Sequence, residues 1–384
     1  MLELLATDLR ALPVIAGLCV LVLYFASQSE FFLSSRNISN LLVQTVVTGI
    51  IALGLVFVLL TGEIDLSVAA ISGVSSVVMA KFVVESGYSN VVAIAAAIVL
   101  GVAIGAVSGI WSTRFLVPTF VVTLGVGLML NGAQLMLLPD SGRYSILQTG
   151  IDKIAGTYVT GAASWALAAL VVIGVFGLRY SAHVLKAKHE IDASFVGQVV
   201  IPTAVAAVGG VVVVAVLNAN EGVPAPVVIF AALLGAADYT LRETRFGLYL
   251  YATGGNLEAA RRAGINVDRI KIIAFAISGG LAAVGGIIAA SRILGVSVSS
   301  GGGIGGGALL LNAIAAAVIG GVSLFGGRGT ASAALLGALV IGVVANGLNL
   351  LGVQAEIQLL VTGALLILAV TVDRTIERVT TVSR

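Results

Sequence analysis

The sequence predicts an all-α protein, a polytopic transmembrane helical bundle of about 12 spans (10 to 12) with both termini cytoplasmic. Three observations lead there. Of the 384 residues, 59% are hydrophobic and 10% charged, and the mean hydropathy is +1.13, whereas soluble domains carry about 25% charged residues. A soluble globule is excluded. Charged residues also divide the chain into twelve charge-free stretches of 15 or more residues, at 11–29, 37–62, 66–80, 86–113, 115–139, 154–178, 193–220, 222–237, 272–291, 293–327, 329–355 and 357–372. A perpendicular span needs about 20 apolar residues, so the three shortest stretches borrow flanking polar residues or stop part-way across. Assigned alternately to the two membrane faces, the 20 Lys and Arg split 15 to 5, and the richer face is the cytoplasmic one. Helices carry the spans because backbone groups in lipid must be paired within their own segment and the alternation of barrel strands is missing.

Along the chain, the first apolar run, from Leu12 to Phe25, has no small-residue cleavage pattern after it and reads as a retained first span. The single cysteine, Cys19, has no internal disulfide partner. Two polar connections, 179–198 and 239–271, fall on the cytoplasmic side; outside lie 139–161 and the Gly/Ser-rich 295–307. No linker composition divides the chain, so 1–384 reads as a single transmembrane domain with 239–271 as a cytoplasmic loop within it. The chain holds 48 glycines. Many lie inside apolar runs, as in the doubled small-xxx-small repeat Gly101, Gly105, Gly109, which suits either close packing within a bundle or a homodimer seam.

The catalytic inventory is thin, and no catalytic or metal-binding residue is assigned. His183 and His189 are six apart, a spacing that does not put two imidazoles on one helical face. Gly301, Gly303 and Gly306 match a dinucleotide fingerprint in form, yet no strand is expected before them and no acid follows about 20 positions on, which leaves a flexible or re-entrant loop. No Gly-Lys pair exists, so the chain has no P-loop and is not itself an ATPase. With 20 basic against 18 acidic residues it lacks the positive excess that nucleic acid demands. All the acids fall in tails, connections or span ends, with Glu63 and Asp65 in the turn between the second and third spans, and this disfavours an ion-coupled carrier.

Neutral amides do lie within the spans. Asn131 and Gln134 share a face of the fifth, Asn346 and Asn349 a face of the eleventh, and Asn312 sits in the tenth. Two readings stand for them: hydrogen bonding between helices, or an uncharged polar passage for a hydroxyl-rich solute.

The strongest local signal is in 244–265. Asn256 is placed to cap a short helix, Glu258 lies in its first turn, Arg261 and Arg262 lie nearer its end, and Gly264 ends it. Such a helix either contacts another polypeptide or lies on the membrane surface.

At this point four motifs in order carry a resemblance: Thr-Gly-Glu-Ile-Asp-Leu-Ser at 61–67, Val-Pro-Thr-Phe-Val-Val-Thr-Leu-Gly at 117–125, Gly-Asn-x-Glu-Ala-Ala-x-x-x-Gly-Ile at 255–265 and Ala-Val-Ile-Gly-Gly-Val-Ser-Leu-Phe-Gly-Gly-Arg-Gly at 317–329. The chain resembles, from about 35 to 372, the permease subunits of ribose/xylose-type ATP-binding-cassette sugar importers. Their turns fall here on Gly62, Glu63, Asp65, Ser67, Pro118, Gly326, Gly327 and Arg328. The resemblance implies a bacterial cell-membrane permease that works as a pair of subunits, a homodimer by expectation. Its implied partners are cytoplasmic ATPases and an extracytoplasmic sugar-binding protein. It also implies that the ATPase is met by Gly255, Asn256, Glu258, Ala259, Ala260, Arg261 and Gly264. Ala69 and Ala70 stand where typical members have Gly-Ser. The region from about 155 to 240 is longer by about two spans than in ribose-type permeases, which favours D-xylose over ribose, galactose or arabinose as the solute.

Overall fold

Helix α2, Ser35–Leu60, is apolar on every side from Gly49 onward and forms the centre of the bundle, with Ile50, Ile51, Leu53, Leu55 and Leu59 fully buried. The computed structural model describes residues 2–188, 194–302, 308–354, 356–365, 367, 368 and 371. His189, Gly303, Gly306 and the C-terminal Arg374, Arg378 and Arg384 lie outside the described residues. Before α2 runs α1, Leu2–Gln28; after it come α3, Val68–Val84, α4, Asn90–Phe115, and α5, Thr119–Leu137. Then follow β1, Arg143–Ser145, the one-turn α6, Lys153–Gly156, β2, Tyr158–Val159, and α7, Gly161–Lys188. A π turn, Val196–Val200, leads into α8, Ile201–Asn218, then β3, Val223–Pro224, α9, Ala225–Glu243, α10, Arg245–Gly255, and α11, Leu257–Arg262. The chain closes with α12, Val267–Ile293, β4, Gly295–Ser297, α13, Ala308–Ile319, α14, Ala331–Leu350, and α15, Glu356–Leu365.

Among the described residues, eight helices are long and apolar enough to cross a membrane, and four shorter apolar ones, 12–28, 68–84, 308–319 and 356–365, occupy the remaining stretches. Each of the twelve charge-free stretches thus overlaps one of these apolar helices. Their starts are set by local chemistry. Ser34 accepts from the Asn37 N–H at 3.3 Å and Ser89 from the Val92 N–H at 3.4 Å, while Pro118 and Pro224 stand at the N-caps of α5 and α9.

Helix α12 packs along α2, α3 and α4, and glycine decides how closely. A methyl group on Gly105 would overlap the Phe275 carbonyl oxygen, one on Gly101 would overlap that of Gly279, and one on Gly109 would lie 2.9 Å from the Ile272 Cα. Of the two roles open to this repeat, the structure shows the packing of α4 on α12 within one chain. Helices α7 and α8 sit at the periphery, apolar yet largely exposed, as lipid-facing helices are. They are joined by Ser164 and Asn218, which exchange hydrogen bonds of 2.8 and 3.1 Å.

At one end of the bundle, β1 pairs antiparallel with β4 and β2 with β3. At this rim the carboxyl group of Glu85 pairs with Lys81 at 2.8 Å and accepts from the Tyr144 hydroxyl. Those hydrogen bonds hold it below the usual carboxylate range.

Two details differ from the sequence expectation. The span expected to close at 178 continues as α7 to Lys188, so His183 is on a helix, with its ring edge-on to Phe195 at 5.3 Å, and not in a loop. Arg and Lys are good helix formers, so charge alone does not stop the helix. A strand, β4, does precede Gly301, but it pairs in an antiparallel hairpin with β1 and not in a parallel βαβ unit. Asp65 lies in the turn between α2 and α3, as expected, and is fully buried there. It accepts from the Ser67 N–H at 2.9 Å, the Ser67 hydroxyl at 2.6 Å and the Ser278 hydroxyl at 3.2 Å. Helix α3 has 17 residues, about 25 Å at 1.5 Å per residue. It therefore begins inside the bundle and draws its preceding turn in with it.

Candidate coupling face and polar cavities

The short helix forms where the capping pattern placed it. Asn256, extended at φ −157°, accepts from the Ala259 N–H at 2.9 Å through its side chain, and Gly264 at φ +80° ends the segment in the left-handed region. Ala260 is buried beneath α11, whereas Gly255, Asn256, Glu258, Ala259, Arg261 and Gly264 are exposed. Glu258 pairs with Arg262 at 3.2 Å and Arg261 with Asp268 at 3.4 Å. With Glu258 and Arg262 both 82% exposed, such a pair adds about 0–1 kcal/mol. The face is a solvated, small-residue surface with charge of both signs.

Behind it, three of the four motifs meet as bare backbone. A Cβ on Gly254 would overlap the Leu60 carbonyl oxygen and come within 2.5 Å of the Gly327 nitrogen; one on Gly326 would lie 2.7 Å from the Gly62 nitrogen and 3.0 Å from the Gly254 Cα. The Gly327 N–H donates to Leu60 O at 2.9 Å, and the Tyr251 hydroxyl donates to Gly329 O at 2.8 Å. Gly62, Gly326 and Gly327 all have positive φ, at 80°, 84° and 71°, so glycine is required here by conformation as well as by space. Arg328 contributes its carbonyl, which accepts from the Ser323 N–H at 3.0 Å. The fourth motif joins through Glu63, which pairs with Lys271 of α12 and accepts from the Thr119 hydroxyl, next to Pro118. The Leu66 N–H donates to Thr123 Oγ1 at 3.0 Å.

Toward the opposite end, two cavities flank the tight turn Ser300–Gly302. The larger, about 300 Å³, presents Gln44 and Thr48 of α2, Ser76 of α3, Arg292 of α12, Ser300 and Asn312. The smaller, about 130 Å³, is mainly apolar, with Asn131 its polar side chain beside Leu66, Ala69 and Leu310. Gly301 lines both. Gln134 holds this turn, donating to the carbonyls of Ser297 at 2.8 Å and Ser300 at 3.1 Å, and its buried Oε1 has no partner, like Oδ1 of Asn131.

The five amides predicted from sequence therefore do not form one cluster. Asn131, Gln134 and Asn312 converge on the turn. Asn346 is paired with Asn37, and Asn349 accepts from Gln358 at 2.8 Å. Sequence reasoning missed Gln44, Thr48, Ser76, Arg292 and Ser300 of the cavity, and Gly254, Thr119 and Lys271 of the junction. Gln44 and Thr48 carried a usable signal, polar residues at i and i+4 in an apolar helix; the others become neighbours only through long-range packing.

Residues 37–370 match the family described as branched-chain amino acid transport system, permease component. The chain is 36% identical over 295 residues to the xylose transport system permease protein XylH of Escherichia coli, covering 77% of this chain and 75% of that protein. It is 34% identical over 309 residues to XylH of Haemophilus influenzae, covering 78% and 80%, respectively. With the ribose import permease protein RbsC of Escherichia coli it shares 34% identity over 287 residues, covering 75% and 71%. No solved structure matches. With its apolar helices, buried polar turns and this match over most of its length, the chain belongs to the family of ATP-binding-cassette transporter permeases, as a multi-pass protein of the bacterial cell membrane.

Proposed function

We propose that this chain is the membrane-spanning subunit of an ATP-driven importer that moves a monosaccharide, D-xylose, inward. It works as a pair of identical subunits, receives sugar from an extracytoplasmic binding protein, and draws force from ATPase subunits docked on α11. Family membership and the similarity to xylose and ribose permeases support the class. The observation that carries the mechanism is the exposed α11, fixed by its Asn256 cap above a glycine-packed junction. The chain has no P-loop, so ATP-dependent force must enter through contact with another polypeptide.

The cavities support a hydroxyl-rich cargo, with Arg292 the charged side chain of the larger one. Gln44, Thr48, Ser76, Ser300 and Asn312 provide neutral donors and acceptors to replace part of a sugar's water shell. Asn131 continues this polar lining beyond the Gln134-held turn.

One observation favours a second reading, an ion-coupled carrier: Asp65 is an acid buried inside the bundle. Three hydrogen bonds from Ser67 and Ser278 already occupy its oxygens, as expected for a fixed turn. The deciding experiment reconstitutes the permease with its ATPase and binding protein in liposomes and compares xylose with ribose. ATP-dependent uptake with xylose ahead of ribose supports the proposal, and uptake that follows an ion gradient without ATP overturns it. Glu258→Lys and Ala259→Trp should reduce ATPase association or its stimulation by the loaded binding protein; normal values in both variants remove α11 from the coupling role.

A further inference from the structure

The turn 61–67 touches more of the candidate machinery than a connector between α2 and α3 requires. On one side it is clasped by the residues preceding α11: Gly254 lies against Leu60 O, and Gly326, at the Gly254 Cα, also abuts the Gly62 backbone. On another side Glu63 pairs with Lys271, the fifth residue of α12, whose first residue follows α11 by five positions. The two attachments bracket α11 in sequence, before and after it. A rigid displacement of α11 therefore moves both attachment points together.

The turn is equally tied to what lies beyond it. Glu63 accepts from Thr119, the first residue of α5, and the Leu66 N–H is bound by Thr123 one turn further along. Asp65 takes the Ser278 hydroxyl of α12. Helix α5 then carries Asn131 into the smaller cavity and Gln134 to the turn between the two cavities. A continuous set of short contacts thus runs from α11 through Lys271 and Glu63 to Thr119, and along one helix to the cavity side chains.

We infer that the turn 61–67 is the relay between α11 and the cavities, and that Glu63 and Lys271 are its positioning pair. Both side chains are mostly buried, at 21% and 15% exposure, so their geometry is held more firmly than that of the solvated Glu258–Arg262 pair. Their role is to make α5 follow α11; neither touches sugar or nucleotide. This inference rests on the proposal that α11 receives the ATPase.

The test uses the full complex in liposomes and reads sugar molecules imported per ATP hydrolysed, a ratio that a change in protein abundance leaves unaltered. Glu63→Lys and Lys271→Glu singly should lower the ratio at least fivefold. The double variant, Glu63→Lys with Lys271→Glu, should return it to within twofold of the starting protein, because a hydroxyl at Thr119 accepts as readily as it donates. Thr119→Val, which keeps the shape and removes the third contact, should lower the ratio about twofold and covers the case in which a single charge reversal fails to fold. A normal ratio in Thr119→Val, or a double variant no better than the singles, overturns the relay. Ala259→Trp separates the two readings: if it weakens ATPase association while the charge series leaves the ratio unchanged, the relay alone is wrong; if it leaves association and stimulation intact, the docking site is wrong.

Discussion

Asn37 and Asn346 face each other across α2 and α14 and exchange two hydrogen bonds, of 2.9 and 3.0 Å, with both side chains buried. A third bond, from Asn37 Nδ2 to Phe32 O at 2.8 Å, ties the pair to the segment before α2. Asn346 is thereby committed to holding two helices together. Asn346→Leu leaves a buried amide unsatisfied and should destabilise the protein by about 1–3 kcal/mol. The double change Asn37→Leu with Asn346→Leu should cost less than the single one. Thermal unfolding in detergent measures both, and sugar uptake per folded molecule should stay unchanged; a loss of uptake at normal stability would return Asn346 to the passage.

The close approach of α4 and α12 at Gly105 makes a sharper prediction. Its added methyl group would overlap a backbone carbonyl, which cannot rotate away as a side chain does. Gly105→Ala should therefore destabilise by about 1–3 kcal/mol. Gly125→Ala, on α5 with open space around it, is the matched control and should be near neutral. Equal unfolding temperatures for the two variants would contradict the packing account.

Transport itself should depend on the amides that converge on 300–302. Asn312→Leu and Asn131→Leu each remove a hydrogen bond to a passing hydroxyl, about 1 kcal/mol, or about a fivefold fall in uptake rate. Gln134→Leu should lower uptake at least as much, since it releases the turn that lines both cavities. Initial rates normalised to the amount of assembled complex give the answer, and unchanged rates in all three would sink the passage assignment.

The two ends of the bundle should be labelled from opposite faces of the membrane. In a Cys19→Ser background, cysteines replacing Asn256 and His183 should react with impermeant reagent only from the cytoplasm, and one replacing Ser145 only from outside. In the structure Asn256 lies at the glycine junction and Ser145 in the β1–β4 pairing at the opposite rim. Reaction of His183 and Ser145 from the same face would break the twelve-span topology.

Much of this architecture was legible in one dimension. The chain's apolar stretches are long and its charges sparse, so lipid solvation fixes where helices lie, and the capping atoms of Asn256 and Gly264 act on neighbours within a few residues. The same local physics misled where a charged residue was taken as the end of α7, because Arg and Lys continue a helix as well as they terminate a span. Residue order placed Asp65 in a turn, and it does not reveal that this turn is drawn deep into the bundle with the start of α3.

The sequence by itself determined the helices, their approximate number, the capped α11 and, through its motifs, the family. Only the tertiary structure decided which polar residues act together. Asn346 and Asn349 share a helix and a sequence signal, yet one is paired with Asn37, 309 positions away, and the other with Gln358. Glu63 and Lys271 are 208 positions apart and meet in one ion pair. The reason is physical: helix formation and lipid burial depend on composition within a window of about 20 residues, while pairing between helices depends on how closely their backbones approach. At Gly105, Gly254 and Gly326 that approach is set by the space a missing side chain leaves.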